Sequence, residues 1–435
     1  MGNGSPWNPD IRDPDSDGDN LFLSSILAVD ADTGAYRWHY QTTPRDRWDY
    51  TATQQITLAD LPLGEDGANR RVVMQAPKNG FFYVLDAADG ELISATPFTA
   101  QNWTTGQFDE NGRPELVEEA VDLALYAVVP GPTGAHNWHP MAFNPDTGLV
   151  YIPVNEIPFF YDKTRNVEDS KSFWNIGYDA AAGWPVEYPA GTLDAVRDLD
   201  GGSLLAWDPV KAEPRWAVPF PLPLNGGVLS TQAGLVFQGN KFGEFVAYDA
   251  ETGERLWADK LVGNAAAAPM TYEIDGEQYL SVLSGWGSVS SLIAGFTYGE
   301  AKSKEPARVI TFKLGGDGDM PAALVDNVVR TPQSPMFGEP DQHQLGMQRY
   351  AESCHFCHGA FAVGGGVVPD LRWSALAGNE QAWDLVVREG ALEKQGMVSF
   401  AGRLSKEDTD AIRAYVVQQA WLAVANGDAL PPQDG

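Results

Sequence analysis

A repeat constrains the fold of this chain more than any other feature. ILAVDADTGAYRW at 26–38 and FVAYDAETGERLW at 245–257 both obey A-x-D-x-x-x-G-x-x-x-W. LLAWDPVKAEPRW is a weaker copy, in which Ala206, Asp208 and Trp216 keep their places and Ala212 replaces the glycine. FYVLDAADGELIS keeps Asp86 and Gly90, and MAFNPDTGLVYIP substitutes Asn144 for the aspartate and retains Gly148, so five related units are visible. Each reads as an apolar strand, an Asp/Gly turn and a second strand, with a Trp in the better copies, which is hairpin chemistry. Units recurring at roughly 40 to 60 residues fit the blades of a β-propeller, where a Trp packs between neighbouring sheets. The repeated tryptophans are therefore expected in the core, with no catalytic role.

The chain has 435 residues, 43% of them hydrophobic, enough for one large repeat fold and one small domain. Its 45 Gly and 30 Pro suit short strands separated by turns. Lys and Arg total 29 against 59 Asp and Glu, and the net charge of -30 disfavours a basic face for nucleic acid or anionic membrane. No run of about 18 uncharged apolar residues predicts a transmembrane helix. Met1 is followed at once by GNGSPWN, which reads as the interior of a folded domain and not as a signal peptide. The expectation is a chain that begins inside a longer protein, with its signal peptide upstream.

From about Gly315 the pattern stops, and a Gly-, Pro- and Asp-rich stretch reads as a linker. Helical periodicity follows: SKEDTDAIRAYVVQQA offers Ser405 as an N-cap and puts Ile412, Tyr415 and Val416 on one face. The predicted organisation is an incomplete all-β propeller over 1–314, a linker over 315–339 and a small all-α domain over 340–435. Only two cysteines are present, Cys354 and Cys357, both in ESCHFCHG. In C-x-x-C-H the two thiols form thioethers to haem vinyl groups and His358 supplies an axial nitrogen; Met397, in QGMVSF, is the expected sixth ligand. A zinc knuckle using His355 and His358, or a redox dithiol, lacks its usual surroundings. With Gly346 and Tyr350 before the motif and Pro369 after it, roughly 340–425 resembles a class I cytochrome c domain. That resemblance implies haem c, and with it export to the periplasm.

GNGSPWN, WHYQTTPRDRWDYTATQQITLADL, QAPKNGFFYVLD and AHNWHPMAFNPDTGLVYIP resemble, in order and spacing, the pyrroloquinoline-quinone-dependent alcohol dehydrogenases. With the cytochrome domain behind them, the whole chain is similar to the quinohaemoprotein alcohol dehydrogenases. The resemblance implies a propeller of eight blades, of which this chain supplies part. Asn3 matches a calcium ligand, Asp49 the catalytic base and a second calcium ligand, Lys78 the residue bonding the quinone oxygens, and Asn137 and Trp138 residues at the cofactor. Implied with them are a calcium ion polarising the quinone carbonyl, hydride transfer from a primary alcohol, and electrons leaving through the haem. The implied acceptor is a soluble periplasmic redox protein or a companion cytochrome. Lanthanide-using relatives place a carboxylate two residues after the catalytic Asp; Thr51 stands there, so calcium is expected.

Other features are weaker. DPDSDGDN at 13–20 mimics a calcium loop, but its twelfth position is Ser24, so a surface loop is expected. His136, His139 and His343 are read as structural or exposed, and Phe159, Phe160 and Tyr161 as either a substrate entrance or core. Competing functions are a non-enzymatic propeller scaffold, a truncated propeller-cytochrome that only relays electrons, and a sugar or aldehyde dehydrogenase of the same cofactor class.

Overall fold

The computed structural model describes residues 6–64, 67–164, 176–179, 181–182, 201–285, 307–320, 330–364 and 368–427. Among these, strands run from Ser25 to Lys313, and the helices of eight or more residues lie between Pro340 and Ala425.

Three antiparallel four-stranded sheets form successive blades. The first comprises Thr57–Leu61, Arg70–Gln75, Phe81–Asp86 and Leu92–Pro97; the second Ala142–Asn144, Leu149–Glu156, Gly201–Asp208 and Glu213–Phe220; the third Val228–Ser230, Leu235–Gly239, Glu244–Asp249 and Arg255–Lys260. A two-stranded sheet, Ser25–Val29 with Tyr36–Gln41, precedes them, and a three-stranded one, Met270–Ile274, Glu277–Ser284 and Arg308–Lys313, follows.

Strand alternation explains how blades stack, because successive side chains point to opposite faces. In Leu149–Glu156, Val150 and Ile152 pack with Val72, Met74 and Phe82 of the blade before. Leu149 and Tyr151 pack with Val236 and Val246 of the blade after. Both faces are buried from Leu149 to Asn155, so the strand runs without a charged residue until the exposed Glu156.

The repeat now has a physical reading. Asp30 accepts from Thr33 N and Oγ1, and Asp249 does the same for Thr252, closing each turn. The turn glycine serves the neighbouring blade. A Cβ on Gly90 would sit 2.5 Å from the Trp38 ring, and one on Gly253 2.7 Å from Trp216. Trp38 Nε1 donates to Ala87 O (3.2 Å) and Trp216 Nε1 to Ala250 O (3.1 Å), so each Trp docks on the next blade's turn.

One expectation is corrected. MAFNPDTGLVYIP is the inner hairpin of the blade whose outer hairpin is LLAWDPVKAEPRW, since Leu149–Glu156 pairs with Gly201–Asp208. The five sequence units therefore occupy four sheets, and the sheet Met270–Lys313 has no copy of the motif.

In the helical part, Pro340–Ser353 crosses Lys406–Ala425, burying Met347 and Tyr350 against Ile412 and Tyr415. Ser405 caps the latter helix through Asp408 N in a reciprocal capping box. No described helix is long and apolar enough to cross a membrane.

Candidate active site

In a four-stranded meander, the connection entering the inner strand and the turn between strands two and three leave from the same end. Asp49 lies on the connection entering Thr57–Leu61, Lys78 on the turn between Arg70–Gln75 and Phe81–Asp86, and Asn137 and Trp138 on the connection entering Ala142–Asn144. Propeller geometry thus gathers residues from 29 to 89 positions apart on one face.

Asp49 is held between two fully buried aromatics, Trp48 and Tyr50. Trp48 Nε1 donates to Ala120 O (3.0 Å), Tyr161 OH donates to Trp48 O (2.9 Å), and Tyr50 OH donates to Pro130 O. Asp46, also buried, accepts from Trp48 N (2.9 Å) and Ser24 Oγ (3.2 Å). With its neighbours tied, Asp49 takes φ +64°, a left-handed conformation that costs energy in a non-glycine residue.

Its carboxylate pairs with Lys78 at 2.8 Å, both side chains being largely buried. Burial pushes Asp49 up to about 6, with Lys78 pulling the other way. Because this lies above the usual 3.8, the carboxyl's contribution to stability is complete below about pH 4 and lost as pH rises through about 6. We expect a carboxylate titration, followed by difference infrared spectroscopy, to place the midpoint near 6 and Lys78→Met to raise it. A lower midpoint in the variant would contradict the pairing.

Lys78 lies against Gly134, which has φ +82°: a Cβ there would be 2.3 Å from Lys78 Cγ and 2.7 Å from its Cα. Gly134→Ala is expected to push Lys78 off Asp49 and lower stability by about 1–3 kcal/mol, read from thermal melts. An unchanged melt would show the loops are further apart.

Asn137 and Trp138 follow directly. Asn137 Nδ2 donates to Thr133 O (2.7 Å) and its Oδ1 accepts from Trp138 N (2.9 Å), so in this structure the amide shapes its own turn. Trp138 is 53% exposed and stacks on His139 at 3.9 Å. His139 is buried, its Nε2 has no partner among the described residues, and burial, then the charges of His136 and Lys241, push it down to about 3. The buried Lys78 ammonium and the exposed Trp138 indole are the groups here that would suit a flat anionic quinone.

Calcium asks for about six to eight oxygens. Among the expected ligands, the described residues contribute Asp49; Asn3 lies outside the described residues. No described group of three His, Cys, Asp or Glu could hold a metal.

The haem motif fits its group better. His358 Nδ1 donates to Pro369 O (2.9 Å), which fixes the tautomer and leaves Nε2 for iron. Burial lowers the His358 pKa, favouring the neutral, ligating ring. Cys354 is buried and Cys357 exposed, both free thiols, and burial pushes Cys354 up to about 12. Met397 is half-buried against the cluster containing Tyr350, Cys354 and Phe400.

Other sequence candidates resolve simply. Tyr161 is core, while Phe160 is 41% exposed. His343 is buried and donates through Nε2 to Phe337 O (2.8 Å). In the acidic loop, Asp13 accepts from Asn20 Nδ2 (2.9 Å) and Asp19 pairs with Arg113, the bonding of a surface loop. The residue missed was His136, read only as structural or exposed. It is fully buried, with Nδ1 2.6 Å from Ala76 O and Nε2 2.6 Å from His139 O. Burial lowers its pKa and the two carbonyls oppose that.

Comparison with known proteins agrees with the geometry. The β-propeller domain of glucose/ethanol/alcohol dehydrogenases matches residues 3–100 and 92–280, and a model described as cbb3-type cytochrome c oxidase subunit III matches 341–416. Quinohemoprotein alcohol dehydrogenase ADH IIB of Pseudomonas putida is 45% identical over 97% of this chain and 59% of its own length. The Comamonas testosteroni quinohemoprotein alcohol dehydrogenase is 40% identical over 95% of this chain and 57% of its own. The structure of ADHIIG from Pseudomonas putida HK5 superposes with a TM-score of 0.88 at 42% identity, covering 98% of this chain and 62% of that one. The chain thus spans under two thirds of the length of these relatives. A propeller-family match over most of the strand-rich part, a cytochrome match behind it and relatives alike in both place this chain in the quinohaemoprotein alcohol dehydrogenase family.

Proposed function

We propose that this chain oxidises primary alcohols to aldehydes, with hydride passing to calcium-bound pyrroloquinoline quinone and electrons leaving through haem c. The Lys78–Asp49 pair at 2.8 Å carries the reading: a base poised near neutrality beside a fixed buried cation. When bound, the quinone supplies the hydride acceptor and the haem a one-electron exit.

Asp49, a buried carboxylate, would take the hydroxyl proton of the alcohol as general base. Lys78, Asn137 and Trp138 would hold the quinone, Lys78 supplying the positive charge. Asp49 and Asn3 are the proposed calcium ligands, with Thr51 leaving no extra carboxylate for a lanthanide. In the helical part, Cys354 and Cys357 would anchor the haem, and His358 and Met397 would ligate its iron. We place the propeller at 1–314, the linker at 315–339 and the cytochrome domain at 340–435.

A periplasmic setting follows from haem attachment, and the net charge of -30 favours a basic patch on the accepting redox protein or cytochrome. The test is anaerobic haem reduction in protein matured with its haem and supplied with calcium and quinone, across primary alcohols, aldehydes and sugars. Alcohol-dependent reduction that needs the quinone is the expected result. Reduction by sugar or aldehyde alone would move the substrate class, and no substrate-driven reduction would leave only a relay.

A further inference from the structure

Three of the residues proposed at the quinone, Lys78, Asn137 and Trp138, sit on two separate loops. Nothing in their own side-chain bonding holds the loops in register: Lys78 pairs with Asp49, and Asn137 bonds within its own turn. The buried His136 ring lies between the two backbones. Its Nδ1 faces Ala76 O at 2.6 Å, two residues before Lys78, and its Nε2 faces His139 O at 2.6 Å, closing a ring around Asn137 and Trp138.

Backbone contacts flank this bridge on one side: Ala135 N donates to Lys78 O (2.9 Å), and Asn155 N to Ala135 O (2.7 Å). These hold Ala135, just before His136. They do not reach Asn137 and Trp138, whose turn is shaped by the Asn137 amide and by the contact of His136 with His139 O. Carbonyl oxygens only accept, so the neutral ring donates to one loop and the imidazolium to both; in either form the ring fills the space between them.

We propose that His136 is the positioning residue of this site, locking the Lys78 loop to the Asn137–Trp138 turn so that the cation and the indole face meet the same ligand. It touches neither substrate nor cofactor; it acts through the backbones of residues that do. A ligand gripped by both loops is bound less tightly when they move independently, because ordering them is then charged to binding. The inference rests on the quinone reading for its ligand, but loop coupling can be measured without it.

The test compares parent, His136→Gln and His136→Leu, each matured with its haem. Quinone affinity is read by quenching of tryptophan fluorescence in calcium, and hydrogen exchange of the quinone-free protein over 76–80 and 133–139. Leucine donates to neither carbonyl, and Kd is expected to rise about 10- to 100-fold, the range for removing groups that orient metal-holding side chains. Glutamine donates to one carbonyl and is expected to fall between. Exchange should quicken in both segments together, with the haem spectrum unchanged.

Exchange confined to 133–139, or a leucine variant binding within twofold of the parent, would overturn the proposal. Should leucine prevent folding, the glutamine variant decides by the same two readings. If the parent itself takes no quinone, the functional reading fails while coupled exchange in the two loops still supports the lock and uncoupled exchange still refutes it.

Discussion

Asp49→Asn is expected to slow alcohol-driven haem reduction by about 10²- to 10⁴-fold, the usual contribution of a positioned general base. The amide is nearly the same shape and cannot take the hydroxyl proton. Stability should respond differently. Burial raises the Asp49 pKa more than Lys78 lowers it, so the ionised carboxylate is held at a net cost in the fold. Removing that charge should leave the propeller's melting temperature unchanged or raise it, as expected where function is kept against stability. Stopped-flow haem absorbance and a thermal melt on the same preparation check both halves. A melt that falls in parallel with activity would make Asp49 a structural residue instead.

The largest expected loss of stability lies in the cytochrome part. A Cβ at Gly346 would be 2.1 Å from Ala411 O and 2.7 Å from its carbonyl carbon, with Tyr415 Cβ at 2.8 Å. These are mostly backbone atoms, so no side chain can swing aside; helices Pro340–Ser353 and Lys406–Ala425 must separate. Gly346→Ala should cost about 3 kcal/mol, at the upper end for overpacking. For a domain of this size that lowers its melting temperature by about 10–20 °C, followed at the haem Soret band. Because Pro340–Ser353 leads straight into Cys354, loss of covalent haem in the purified variant should accompany the shift. A melt within a few degrees of the parent would mean that the helices do not cross so closely.

Much of the propeller was legible because its repeat encodes turn and packing chemistry together. Gly90 is needed twice, for a left-handed turn at φ +79° and for the Trp38 ring against it. The same chemistry misled the count of units. Asn144 closes its turn by accepting from Asp146 N (2.9 Å), and Gly148 takes φ +69°, so an inner hairpin looks like an outer one.

Asp49 and Lys78 were found from motif resemblance, and the ion pair joining them is a tertiary fact. His136 was passed over because a lone histidine has no spacing to interpret: its partners, Ala76 and His139, are carbonyls, which leave no trace in sequence. The haem site was the most legible part. Its attachment motif is contiguous, Cys354–His358, while the proposed sixth ligand Met397 and the Pro369 carbonyl behind His358 come from later in the chain.

Under the proposed function, electrons taken at a quinone held by Lys78 leave through the haem of the same chain. The most direct measurement is the rate of haem reduction after anaerobic mixing of quinone- and calcium-loaded protein with a primary alcohol, repeated over a wide dilution series. Intramolecular transfer predicts a first-order rate that does not change with protein concentration and vanishes without quinone. A rate that falls in proportion to dilution, or a haem that dithionite reduces and alcohol does not, would contradict it.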